Sequence, residues 1–168
     1  DLERDPDGRQ PRSGLVSVIV VPRSTLARPT PSLELLERVR TYLDARRSPL
    51  AELALVGPEY VRVDVAVELA AVSLDAAAAL EARVLAELAR FLHPLTGGLD
   101  GRGWSFGRKP HRSDLFALFE RIDGVDHVRA LEVDEKEDRL GVGDTGRFLV
   151  HSGVHRVRLV RQPGSLET

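Results

Sequence analysis

The chain has no cysteine among its 168 residues, which excludes disulfides and every thiolate metal site. Methionine is also absent, even at position 1, and the expectation is therefore a portion of a longer protein. Lysine is nearly absent: Lys109 and Lys136 are the only two, and the remaining basic charge is arginine. No apolar run approaches the ~20 residues needed to cross a bilayer. The alanine-rich stretch from Ala66 to Ala82 is broken by Glu68, Ser73, Asp75 and Glu81. Residues 1–14 are polar and lack the apolar segment of a signal peptide. With a formal net charge of -2, the totals imply no general affinity for nucleic acid or for an anionic membrane surface.

What remains is a chain long enough for one domain or two small lobes around a hydrophobic core. Residues 1–14, charged and proline-bearing, read as a flexible N-terminal segment. Val16 to Val21 reads as a buried strand ended by Pro22. A helix follows, with Thr30 as its cap, Pro31 at its first position and Leu35 or Leu36, Val39 and Tyr42 or Leu43 on one face. After a short apolar segment at 50–56 and a Gly57-Pro58 turn, Val61, Val63, Val65, Val67 and Leu69 alternate with Arg62, Asp64, Ala66 and Glu68. That period of two predicts a strand with one face against helices. Leu80, Val84, Leu88 and Phe91 or Leu92 predict a long helix, and Leu115, Leu118, Phe119 and Ile122 a third, capped at or near Ser113. Val125–Val133 reads as a strand, the four acids and two bases of 134–139 as a solvated turn, and 148–150 with 154–160 as a closing hairpin around His151-Ser152-Gly153. The order predicts an α+β fold: a ferredoxin-like split βαβ sandwich, βαββαβ, with an extra helix and a C-terminal β-hairpin. The expected division is a first α/β lobe over 15–94, a second over 95–162 completing the sheet, and a tail at 163–168.

No constellation of catalytic or ligand-binding residues emerges. His93, His111, His127, His151 and His155 include no HExxH pair, and Ser152-Gly153 interrupts any helix that would align His151 with His155. Gly101-Arg102-Gly103 and Gly141-Val142-Gly143-Asp144-Thr145-Gly146 lack both the lysine of a phosphate loop and the GxGxxG spacing. His111, Ser113 and Asp114 are suggestive types, but a helix start accounts for the serine and the aspartate. Asp64 and Glu68 do not have a spacing that defines paired glycosidase carboxylates. The expectation is no enzyme activity, no cofactor and no metal.

The stretch from Phe91 to Arg108 holds five glycines and the only tryptophan, Trp104. Its ring fits a core plug. The cations around it, Arg102, Arg108, Lys109 and Arg112, together with Phe106, form the best candidate surface for a partner, since arginine and aromatic side chains dominate interface hot spots.

These residues also carry a resemblance. Val56-Gly57-Pro58-Glu59-Tyr60-Val61-Arg62-Val63-Asp64-Val65, then Leu92-His93-Pro94, Gly97-Gly98 and Gly101-Arg102-Gly103-Trp104-Ser105-Phe106-Gly107-Arg108, then Ile122-Asp123-Gly124-Val125-Asp126-His127-Val128 fall in the order seen in the baseplate J-like family of baseplate assembly proteins. Roughly residues 15–133 resemble the C-terminal part of that family. The resemblance implies a structural wedge component of a contractile phage tail or tail-like injection system, without an active site. It implies docking to other wedge subunits and to copies of itself, in a baseplate assembled in the bacterial cytoplasm. It implies no nucleic acid, no membrane and no small-molecule substrate. The alternative is a ferredoxin-like ligand- or RNA-binding module.

Overall fold

The computed structural model describes residues 15–161. The expected N-terminal segment at 1–14 and tail at 163–168 lie outside them. The fold is α+β, with parallel and antiparallel pairing, three helices and a βαβ arrangement of the ferredoxin-like kind extended by an added helix. Two compact units are present, one ending at Glu59 and the other beginning at Tyr60.

The first unit is a single βαβ element: β1 (Leu15–Ile19), α1 (Leu33–Asp44) and β2 (Glu52–Val56). β1 and β2 pair in parallel, from Leu15 opposite Glu52 to Ile19 opposite Val56. The cap of α1 is Ser32 rather than Thr30, its hydroxyl accepting the Leu35 N–H at 3.2 Å. Thr30 lies too early and turns its hydroxyl to the Arg28 carbonyl instead. At the other end, Arg46 donates to the Tyr42 carbonyl and stacks 3.8 Å above that ring, and Arg47 binds Asp44 at 2.7 Å. The arginine pair therefore closes the helix end.

The second unit is built on β3 (Glu59–Ala71), flanked by β4 (Val125–Glu137) and β5 (Phe148–Arg161) in the order β4-β3-β5. β3 and β4 run antiparallel, with register shifts at Glu68/Leu69 and Ala70/Ala71. The alternation read from the sequence is realised: Val61, Val63, Val65, Val67 and Leu69 are buried. Against them lie α2 (Ala77–Phe91), through Leu80, Val84, Leu88 and Phe91, and α3 (Arg112–Phe119), through Leu115, Leu118 and Phe119. Full burial of each such side chain contributes about 1.5–3 kcal/mol, so this core holds the unit together.

Two segments depart from expectation. β4 does not stop at Val133. It continues through the acids because β3 offers partners as far as Val61, opposite Glu137. The acids are individually answered: Glu135 binds Lys109 at 2.6 Å, and Glu137 accepts the N–H groups of Gly141 and Gly143. The closing β segment is one strand, without a turn at His151-Ser152-Gly153. Asp64 Oδ1 accepts the Val154 N–H at 2.8 Å and His155 Nδ1 accepts the Val65 N–H at 3.2 Å, so side chains carry the β3–β5 pairing past this point. Gly153 leaves the space for this, since a Cβ there would collide with the Asp64 carboxylate.

Candidate docking surface

The glycine-rich stretch between α2 and α3 folds back on the end of α2. Phe91 supplies the anchor: its carbonyl accepts the Gly98 N–H at 2.8 Å and the Trp104 indole N–H at 2.9 Å. The Trp104 ring stands edge-on to the Phe91 ring, 5.3 Å between centroids and 88° between planes. His93 caps the turn that follows, its Nδ1 accepting from the backbone of Leu95 and Thr96. The Trp104 backbone N–H donates to the Pro94 carbonyl and the Gly107 N–H to the Phe148 carbonyl, both within 3 Å, closing the loop on its own start and tying it to β5. Gly103 is required at its position, having φ of 85° and no room for a Cβ beside the Pro94 and Leu95 carbonyls. Trp104 is thus a core residue, only 9% exposed.

The structure divides the six candidate residues. Arg102 projects outward, its side chain 87% exposed and 4.0 Å from Asp100. Phe106 is 44% exposed. Arg108 is exposed, with its guanidinium 6.0 Å from the Trp104 ring centroid. Lys109 is turned to Glu135 and lies 5.7 Å over the Phe148 ring. Arg112 donates to the Leu131 carbonyl at 2.6 Å, pinning α3 to β4. Arg102, Phe106 and Arg108 are therefore exposed and Trp104 is buried, while Lys109 is half-buried and the exposed Arg112 is bonded to β4. Asp114 accepts the His111 backbone N–H at 3.0 Å, so His111, Ser113 and Asp114 start a helix, with Asp114 committed to that role.

A second polar constellation was not singled out in the sequence. Asp64, with its side chain 14% exposed, accepts from Arg62 and Lys136 at 3.0 Å each in addition to Val154. Lys136 also reaches Asp134 at 3.2 Å, joining two carboxylates that lie opposite each other across β3 and β4. Burial acts to raise the Asp64 pKa, but the bonds from Val154, Lys136 and Arg62 outweigh it and hold the carboxyl below its ordinary value. The bonds to Asp64 and then Asp134 hold Lys136 above its ordinary value. Burial pushes His155 down, against the smaller opposing pull of Asp64, and its Nε2 meets the Ser152 hydroxyl at 2.8 Å. The only sequence signal was Gly153 inside a strand pattern, which marks close approach by another group.

Between α2 and α3 lies an open cleft of about 300 Å³, lined by Arg83, Arg90 and Arg121 above Leu118 and Ile122. Glu87 and Asp123 line the same cleft, so its three arginines face two carboxylates, and Arg83 and Arg90 are already bonded to the Asp123 carbonyl and to Glu87. Among the described residues no group of three or more His, Asp or Glu side chains could hold a metal ion, and no helix is long and apolar enough to cross a membrane.

A chain of the anti-feeding prophage (AFP) baseplate, known from a six-fold-symmetrised cryo-EM structure, matches this chain with a TM-score of 0.65 at 21% sequence identity. The two share a fold. The match covers 89% of this chain and 32% of the other, so this chain spans about a third of the length of that baseplate chain. No family model matches the chain, and no curated protein does.

Proposed function

We propose that this chain is a structural component of the baseplate of a contractile tail-like particle, docking as a wedge element against other wedge subunits. The observation that carries the reading is the fold shared with an AFP baseplate chain over 89% of the present sequence. The sequence resemblance of the 56–65, 92–108 and 122–128 blocks to baseplate J-like proteins supports it independently. The second unit supplies a rigid body, and the exposed rim of the Trp104 loop supplies a contact. Arg102 and Arg108 orient an acidic neighbour, and Phe106 offers an apolar anchor between them. No catalytic step is required of any residue.

The test is co-purification of the tagged chain with the particle proteins encoded beside it. R102A/R108A removes exposed side chains and, from the core, only the Arg108 guanidinium 6.0 Å from the Trp104 ring centroid, so a folded double variant that no longer captures the neighbour supports the rim as the interface. Undiminished capture moves the interface elsewhere. If the wild-type chain captures no particle protein, the baseplate reading itself falls.

A further inference from the structure

The open cleft between α2 and α3 is built on rigid elements. One wall is a single face of α2, where Arg83, Glu87 and Arg90 recur at helical spacing. The other wall is the turn that follows α3 and carries Arg121 and Asp123. That turn is held by its own backbone: the Arg121 N–H donates to the Leu118 carbonyl at 3.2 Å and the Ile122 N–H to the Phe119 carbonyl at 3.0 Å. Arg83 bridges the two walls by donating to the Asp123 carbonyl at 3.1 Å. Leu99 lines the same cleft, 43% exposed, on a loop fixed by the bond from the Gly98 N–H to the Phe91 carbonyl. A site of this kind needs little ordering when a ligand arrives.

The charges of the cleft do not balance, since three guanidinium groups face two carboxylates. Arg90 holds Glu87 through Nε and one terminal nitrogen, at 2.9 and 2.6 Å, both on the same oxygen. Arg83 is bonded to a backbone carbonyl, which does not neutralise its charge. Among the described residues the Arg121 side chain has no hydrogen bond and no ion pair. One further carboxylate brings the cleft to neutrality, and a guanidinium takes a carboxylate through two parallel N–H···O bonds. A small anion alone would leave Leu99 in water. The volume of about 300 Å³ lies at the lower end for ligand sites and suits a few side chains.

We infer that this cleft binds a short acidic–apolar segment of a partner protein, one aspartate or glutamate carboxylate going to the arginines and an adjacent apolar side chain to Leu99. Arg121 is the principal receiver of the carboxylate. Glu87 and Asp123 set the selectivity: they repel a second and third acid, so one acid between apolar residues is favoured over an acidic run. The cleft is open to solvent, so binding by a short segment is weak and falls with added salt. The residues are distinct from Arg102, Phe106 and Arg108 of the loop rim. The inference goes beyond the baseplate reading and does not depend on it.

The probe is the capped tripeptide acetyl-Leu-Glu-Leu-amide, titrated at fixed ionic strength into isotope-labelled chain of residues 1–168 and followed by NMR shifts of backbone amides and arginine Nε–H groups. Acetyl-Leu-Gln-Leu-amide keeps the shape without the charge, acetyl-Glu-Glu-Glu-amide keeps the charge without the apolar neighbours, and sodium acetate is the carboxylate alone. The first peptide is expected to give saturable shifts at Leu99, Arg121 and Ile122 with a Kd of about 1 mM, and each of the other three to bind about fivefold or more weakly. Arg121→Gln and Leu99→Ser replace exposed side chains and should each weaken the first peptide about threefold or more. Arg156→Ala removes the same charge from an exposed position on β5 and should leave its binding unchanged. Equal binding of the glutamine peptide removes the charge recognition, equal binding of acetate reduces the cleft to a simple anion site, and equal binding of the triglutamate peptide removes the selectivity; each overturns the inference. It also falls if Arg156→Ala weakens binding as much as Arg121→Gln, or if no residue of the cleft shifts up to about 10 mM peptide.

Discussion

The indole N–H of Trp104 donates to the carbonyl oxygen of Phe91 at 2.9 Å, thirteen residues earlier in the chain. Phe91 is the last residue of α2, where helical carbonyls lack intrahelical partners. A core side chain thus completes a helix end. Trp104→Phe removes the donor, while Gly98 still bonds the same carbonyl. The expected cost is about 1–2 kcal/mol, against about 3–5 kcal/mol for Trp104→Ala. Urea unfolding followed by circular dichroism measures both. A loss below about 1 kcal/mol for the alanine variant would remove Trp104 from the core.

Arg102 and Arg112 are predicted to separate by stability. Arg102 is exposed, and its replacement by alanine should change stability by no more than about 0.5 kcal/mol. Arg112→Ala strips the Leu131 carbonyl of a charged donor and should cost about 1–3 kcal/mol. Thermal denaturation of the two variants side by side decides whether one cation serves the fold and the other is free for a partner.

Gly153→Ala pushes a methyl group into the Asp64 carboxylate and should destabilise by about 1–3 kcal/mol. Asp64→Ala leaves the Val154 N–H without its acceptor and should cost a similar amount, about 1–3 kcal/mol. The double variant should fall short of the sum by at least about 0.5 kcal/mol, because removing the carboxylate also removes the collision. Additive costs in this cycle would separate the two sites.

Acid should weaken the protein in two stages. His155 is held below its ordinary value, so the unfolded chain takes up the proton first. Its contribution is complete above the ordinary value of about 6.5 and is lost as pH falls through the lower, folded value. Asp64 is also depressed; its contribution is complete above about 3.8 and is lost as pH falls through its folded value. Stability measured against pH should therefore decline below about 6.5, and His155→Gln should flatten that first decline while sparing the second. A variant curve parallel to that of the wild type would assign the first stage to another group.

The elements with strong periodicity were legible because their burial is decided locally. The valines of β3 and the Leu80, Val84, Leu88 and Phe91 stripe of α2 occupy the core as the pattern requires. The rest depended on distant partners. Residues 134–137 look like a solvated turn until β3 is placed beside them, when they become the end of a strand. His151-Ser152-Gly153 looks like a turn until Asp64 and His155 supply bonds across the β3–β5 border. Around the loop, residue type identified a set of cations and aromatics, but not which of them bond to the fold. That distinction is set by a carbonyl on β4 for Arg112 and a carboxylate on β4 for Lys109.

The strand order also governs how the chain is made. β3 is central, yet Lys136 lies 72 residues downstream of Asp64, and His155 lies 90 residues downstream of Val65. A ribosome therefore delivers the apolar run of β3 long before either flanking strand. Loop-closure entropy must be met before these pairings form, which makes the topology a slow one. During that interval Val61 to Leu69 is a bare, aggregation-competent segment. A chain halted before Phe148 would lack one wall of β3 permanently, and cells making it should accumulate insoluble or chaperone-bound product instead of a smaller folded domain.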